Sequence, residues 1–269
     1  MKKFLFLIVV LILTSCSKQY LESETIVEVS TKTSVTNVDV KPIMDKARWG
    51  DGNAFLQLAY CYHDGAGVKR DFVSMMYMAA IAHEFGVIGD LEEFAKTLPP
   101  DSEYRLALKA LILIIDKEFD YARTLVDVMI SKGYAEGYAI KGILSMEIEN
   151  LSEFRYYCEL AAEKGSTFGE LLLCVKDWKN SIDFDICRLI MLADRIPVAY
   201  IMIATHYADK IKDGKNYDQL REFNYLKADD CAFLGRKSAQ WLVNYYRNGG
   251  RRLISDEDYT RIKALAGER

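Results

Sequence analysis

The sequence predicts an all-α protein: an α/α superhelical solenoid of about six helix pairs that fills residues 42–269 of the chain. Three observations predict it. From Ala54 to Gly86, small and apolar residues recur at helical steps on both sides of a glycine-bearing turn. The same steps return in weaker form down the rest of the chain, and no strand-rich region interrupts them. Finally, a pair of amphipathic helices covers only half of its own apolar surface, so such a unit needs further copies beside it.

The first pair is the clearest. Ala54, Leu58, Ala59 and Tyr62 stand at steps of four, one and three, which places them on one face of a helix. Gly65 and Gly67 stop that helix, because glycine reaches the left-handed backbone of a helix end and its turn. Asp71 is placed to cap a second helix, along which Met75, Met78, Ala79 and Ala82 continue a small, apolar stripe as far as Gly86. In this order and spacing the residues resemble the Sel-one-like repeat, a relative of the tetratricopeptide repeat that stacks helix pairs into a curved solenoid. The resemblance implies a non-enzymatic protein-binding scaffold.

Ahead of the repeats stands an address. Lys2 and Lys3, the apolar run Phe4 to Leu13 and the small residues before Cys16 describe a secretory signal over residues 1–15. The run is too short for a membrane-spanning helix, which needs about 20 residues. Leu13, Thr14, Ser15 and Cys16 resemble the bacterial lipobox, which implies acylation at Cys16 and a palmitate-type anchor; an ordinary signal peptide with a chance cysteine is the alternative. Ser17 in place of an aspartate resembles the pattern sent to the outer membrane. Residues 16–41 then read as a lipidated N-terminus and extended tether, although the β-branched run Ile26 to Val40 alternates enough to suggest a strand.

The remaining elements follow in order. Pro42 to Trp49 reads as a helix with proline in its first turn. Ile88 to Leu98 is a short acidic helix stopped by Pro99 and Pro100, either an insertion or a half-repeat. Ala107, Leu111, Ile112 and Ile115 repeat the helical steps, with Phe119 to Gly133 as their partner. Gly137, Lys141, Gly142 and Ser145 follow the steps loosely, and their partner ends in Ala161, Ala162 and Gly165. Gly169, Leu173 and Cys174 keep the small–apolar–small order; Ala199, Ile203, Ala204 and Tyr207 restore it in full; Ser238, Leu242, Val243, Tyr246 and Gly249 repeat it. Ser255, followed by three acids, caps a terminal helix from Asp258 to Ala266.

Charge and motifs narrow the function. Of 35 basic side chains, loss of Lys2 and Lys3 with the leader leaves 33 against 39 acidic ones, a net −6 that gives no electrostatic footprint for nucleic acid. The membrane contact is then expected through the lipid alone. His63, His83 and His206 stand at no ligand spacing, no catalytic motif is present, and the acids at Asp229, Asp230 and Asp256 to Asp258 read as helix ends or solvated faces. No metal or cofactor is expected. Cys61, Cys158, Cys174, Cys187 and Cys231 form an odd set. Relatives of the repeat family can bridge paired helices, and Cys174 with Cys187, on two helices flanking a turn near Ser181, is one such pairing; Cys158 with Cys174, or buried thiols, are the others.

By helical phase, Tyr60, Tyr200, His206, Trp241 and Tyr245 lie off the buried stripe and are the candidate anchors of a protein partner on the concave face. The resemblance implies two partner classes. Some lipoproteins of this repeat family neutralise a toxic phospholipase effector injected into the periplasm, as immunity proteins; others recruit enzymes of cell-wall or outer-membrane assembly.

Overall fold

In the computed structural model the chain is described over residues 38–177, 183–210 and 217–268. The signal segment, Cys16 and the tether as far as residue 37 lie outside the described residues, as does the turn near Ser181.

The described residues are helical, as the periodicity predicts, and fourteen helices follow one another. Helix α1 (Lys41–Arg48) has proline in its first turn. Val38 and Val40 lie against the Gly67 turn, so the chain joins the body before α1 begins. The first pair is α2 (Gly52–Asp64), closed by Gly65 at φ 73°, and α3 (Phe72–Glu84), capped by the Asp71 carboxylate accepting from Ser74 N at 2.5 Å. Next come α4 (Leu91–Thr97), α5 (Glu103–Ile115) and α6 (Phe119–Ser131). They are followed by α7 (Ala135–Ser145) and α8 (Leu151–Glu163). Neighbours pair as expected, α2 with α3, α5 with α6 and α7 with α8. A Cβ on Gly142 would stand 2.9 Å from Cys158 Sγ, so a small residue there does allow close helix approach.

The next unit departs from the prediction. Helix α9 (Thr167–Leu172) lasts only six residues and gives way to a two-stranded antiparallel ribbon, β1 (Val175–Asp177) and β2 (Asp183–Phe184). Two helices flanking a turn were expected there. The ribbon places Cys174, whose carbonyl accepts from Asp185 N at 2.6 Å, inside the fold, and Cys187 outside it. All five described cysteines are free thiols, so Cys174 is bridged neither to Cys187 nor to Cys158, and of the readings left open the buried thiol is the one that fits it. The physical reason is orientation: Cys174 Sγ turns inward to the Glu170 carbonyl at 3.4 Å, while Cys187 faces solvent. Helices α10 (Ile186–Ala193), α11 (Val198–Lys210), α12 (Asp218–Asp230), α13 (Arg236–Arg247) and α14 (Asp256–Leu265) complete the body.

A second departure concerns α3. An amphipathic stripe was expected, yet every residue from Phe72 to Ala82 is buried. The segment FVSMMYMAAIA offers one hydroxyl, one phenol and no charge, and a helix apolar all round belongs inside a core. Helices α2, α4, α9 and α11 all pack on it. Phe168 of α9 meets Phe72 at 5.6 Å, and Phe233, in the turn before α13, stacks on Tyr77 at 5.8 Å and 8°. The later helices therefore pack around α3, the second helix of the first pair.

The ends meet as a result. Asp229, at the end of α12 and 2% exposed, is held by both Nη atoms of Arg261 from α14, one at 2.8 Å, and by Arg48 of α1 at 3.1 Å. Arg261 also donates to the Arg48 carbonyl at 3.3 Å. Asp229 is thus no solvated helix end, as the sequence suggested, but the centre of a clasp joining α1 and α14, the first and last of the described helices.

Candidate functional site

The candidate anchors separate into two that stand together and three that do not. Trp241 and Tyr245 are four residues apart on α13, which puts them on one face. Their rings stack at 5.1 Å and 7°. The Arg221 guanidinium lies over the indole at 4.1 Å, and Tyr225 meets it edge-on at 5.5 Å. On the other side of the pair, Gly250 packs so closely on the Tyr245 ring that a Cβ there would come within 2.6 Å of it. The rings are thus held by contacts within the protein, and both residues remain half-exposed.

These two residues line an open groove of about 730 Å³ between α12, α13 and the Gly249–Arg251 turn. The other lining side chains are Asp218, Gln219, Asn244, Asn248 and Arg251. Three amides, one carboxylate and one guanidinium give donors and acceptors in about equal measure, set beside aromatic edges. That is the composition of a polar interface with aromatic anchors. The lining includes no serine, cysteine, histidine or lysine.

Beneath the groove the chain is stiffened. Tyr246 donates to the buried Glu222 at 2.8 Å and meets Tyr259 of α14 edge-on at 5.7 Å. Burial raises the Glu222 carboxyl above its ordinary range, opposed by the Tyr246 hydrogen bond. Aromatic contacts run unbroken from Tyr225 through Trp241, Tyr245 and Tyr246 to Tyr259 and tie three helices together.

The remaining candidates have separate surroundings. Tyr60 donates to Thr97 at 2.9 Å and tilts against Phe94, so it serves the α2–α4 contact. Tyr200 donates to Asp194, and burial followed by that bond pushes its phenol up to about 12. His206 meets Tyr207 edge-on at 5.6 Å. His63 is buried, with Nδ1 2.6 Å from Asp64, and His83 Nδ1 faces the Ile88 carbonyl at 3.1 Å. Among the described residues no group of three or more His, Cys, Asp or Glu is placed to hold a metal, and no helix is long and apolar enough to cross a membrane.

The sequence reading missed Arg221, Gln219 and the amides of Asn244 and Asn248. The last two were visible as positions three and seven beyond Trp241, the same helical face. No family model matches this chain, and no match appears among the curated proteins or the solved structures.

Proposed function

We propose that this chain is a periplasm-facing lipoprotein whose helical body binds a protein partner and performs no covalent chemistry. In this reading the helix pairs are Sel-one-like repeats of a superhelical solenoid, curled until its ends touch, and Cys16 carries the acyl anchor at the outer membrane. The observation that carries the proposal is the α12–α13 groove, where Trp241 and Tyr245 are held rigid among amide and charged side chains. Rigid aromatics lose little entropy on binding, which makes them effective anchors.

The partner we assign is an injected toxic phospholipase, with this protein as its immunity factor: a lipid anchor would station it at the membrane such an enzyme attacks, and a groove of amides, charges and aromatic edges would cover an active-site mouth. The test is to delete the gene and compete the strain against its parent on a surface. Contact-dependent death of the deletion strain, reversed by the intact gene, supports the assignment. Equal survival, with no toxicity from the exported product of the adjacent gene, refutes it. Envelope defects without contact-dependent death would instead favour an accessory lipoprotein of wall or outer-membrane assembly.

Two variants test the parts. Cys16→Ala is expected to move the protein from the membrane fraction to the soluble periplasmic fraction; membrane retention would contradict the lipobox. Trp241→Ala with Tyr245→Ala is expected to weaken the partner by at least about 2 kcal/mol, roughly thirtyfold in Kd, as truncated aromatic anchors do. Unchanged affinity in calorimetry would place the interface elsewhere.

A further inference from the structure

We propose that the meeting point of α3, α5, α7 and α9 is a pH-operated latch: the buried Glu136 side chain holds α9 and the ribbon after it against the hub helix α3 while it is protonated, and lets them loosen when it ionises. Four helices begin at this point, and their first residues are joined in sequence. The Glu103 carboxylate of α5 accepts from Glu136 N at 3.1 Å. The Glu136 carboxyl, 3% exposed on the first turn of α7, accepts from Ser166 Oγ at 2.7 Å. Ser166 caps α9, accepting from Gly169 N at 2.9 Å, and its neighbour Thr167 donates to the Asp71 carboxylate that caps α3. Two side-chain bonds, from Ser166 and Thr167, thus fasten the start of a helix only six residues long.

The charges around Glu136 are unbalanced. Helix α5 contributes Glu103 and the phenol of Tyr104, and the turn before α3 contributes Asp71 and Arg70. Arg70 is the one nearby cation among these groups, and it is engaged, donating to the His63 carbonyl at 3.0 Å and lying over the Tyr104 ring at 4.3 Å. One turn along α9, Glu170 is paired with Arg195. The charges that α6 and α8 bring to α7 are occupied too, Asp127 with Lys141 at 3.6 Å and Lys164 over the Tyr138 ring. Three carboxyl groups therefore meet here, Glu136 and Asp71 buried and Glu103 half-buried, while the two guanidiniums within reach are committed, Arg70 as above and Arg195 to Glu170, and a bound proton is the simplest neutraliser of the buried Glu136. Burial, reinforced by Glu103 and Asp71 and opposed by Ser166 and Arg70, pushes the Glu136 carboxyl up to about 8.

The sign follows from the raised folded-state value. The protonated latch is most stable below the ordinary carboxylate range, weakens as pH rises, and reaches its weakest state above about 8. Ionisation puts a negative charge among two other carboxyl groups, and admitting water between α7 and α9 relieves it. Phe168 and the fully buried Cys174 are then the first groups exposed.

Cys174 supplies the readout and the exposed Cys187 its internal reference; burial holds the Cys174 thiol up at about 12, so the comparison is kept below the ordinary thiol range of about 8.5, where the ratio cancels the common pH dependence of thiol reactivity. In the full chain, maleimide labelling of each thiol is followed by mass spectrometry from about pH 6 to about pH 8. The Cys174 to Cys187 rate ratio is expected to rise by about tenfold or more, one decade for each unit over which proton binding differs between closed and open states. In Glu136→Gln, which keeps the acceptor for Ser166 without the charge, the ratio should stay flat. Glu103→Gln removes one facing carboxyl and should move the rise to lower pH. A flat ratio in the unaltered protein overturns the latch. So does a rise that persists in Glu136→Gln, or one that Glu103→Gln leaves unmoved.

Discussion

Arg261→Ala is expected to destabilise the fold by about 3–5 kcal/mol, the usual cost of removing one member of a buried ion pair. Arg261 is 6% exposed and Asp229 2%. Loss of the guanidinium removes both of its bonds to Asp229, together with its contacts to Asp258 at 3.1 Å and to the Arg48 carbonyl. Asp229 keeps only the half-exposed Arg48, so a carboxylate out of water is left under-neutralised. The measurement is urea unfolding at neutral pH, repeated at high salt. Because the pair is buried, added salt should recover little of the loss. A cost below about 1 kcal/mol would mean that the clasp is solvated and contributes as an exposed pair does. The double change Arg261→Met with Asp229→Leu should recover much of the deficit, since both charges then leave together.

Phe233→Ala is expected to cost about as much, roughly 3–5 kcal/mol, but through a different term. Its ring is fully buried between Tyr62 of α2, edge-on at 5.9 Å, and Tyr77 of α3. Those helices stand more than a hundred residues earlier in the chain, so the cavity would open where the array closes on its hub. Tyr121→Ala is the control: at 71% exposure it should stay within about 0.5 kcal/mol. Equal effects of the two changes would argue against the closed arrangement. Phe233→Leu should cost less than alanine because it fills part of the space.

Both predictions concern closure, and closure was the part the sequence hid. Helix starts were plain because they rest on local chemistry: Asp71, Ser255 and Pro42 sit where a cap or first turn needs them, and the structure uses them so. The pairing of α2 with α3 was plain for the same reason. What no local pattern marks is a contact between Asp229 and Arg261 of one end and Arg48 of the other. Asp229 reads as a solvated helix terminus until the chain is folded around it. The hub was half legible: the all-apolar run from Phe72 to Ala82 signals a helix buried on every side, yet its spacing also satisfies an amphipathic stripe. The ribbon had a signal as well. After the polar stretch Lys179, Asn180 and Ser181, the residues Ile182, Asp183, Phe184 and Asp185 alternate apolar and acidic, a pattern outweighed by the expectation of another helix pair.

The candidate site divides along similar lines. Trp241 and Tyr245 were found by phase because they share one helix face, while Arg221 and Gln219 come from the preceding helix and join them only through packing. Exposure itself was poorly legible. Met191, 82% exposed, and Tyr121 stand further into solvent than any of the five aromatic and histidine candidates, since phase gives direction on a helix but not what covers it.

The clasp has a mechanical consequence. An open stack of repeats pulled from one end peels apart one unit at a time, each yielding at low force. Here a load arriving through the chain ahead of Val38 first meets the contact of Val38 and Val40 with the Gly67 turn and then α1, which is fastened across the seam to α14 and to the end of α12. The Arg48–Asp229–Arg261 bonds lie in the path of that load and must part before α2 can be drawn from α3. The body therefore resists tension as a closed hoop does, by its fastening, and should give way in one large step when the fastening fails.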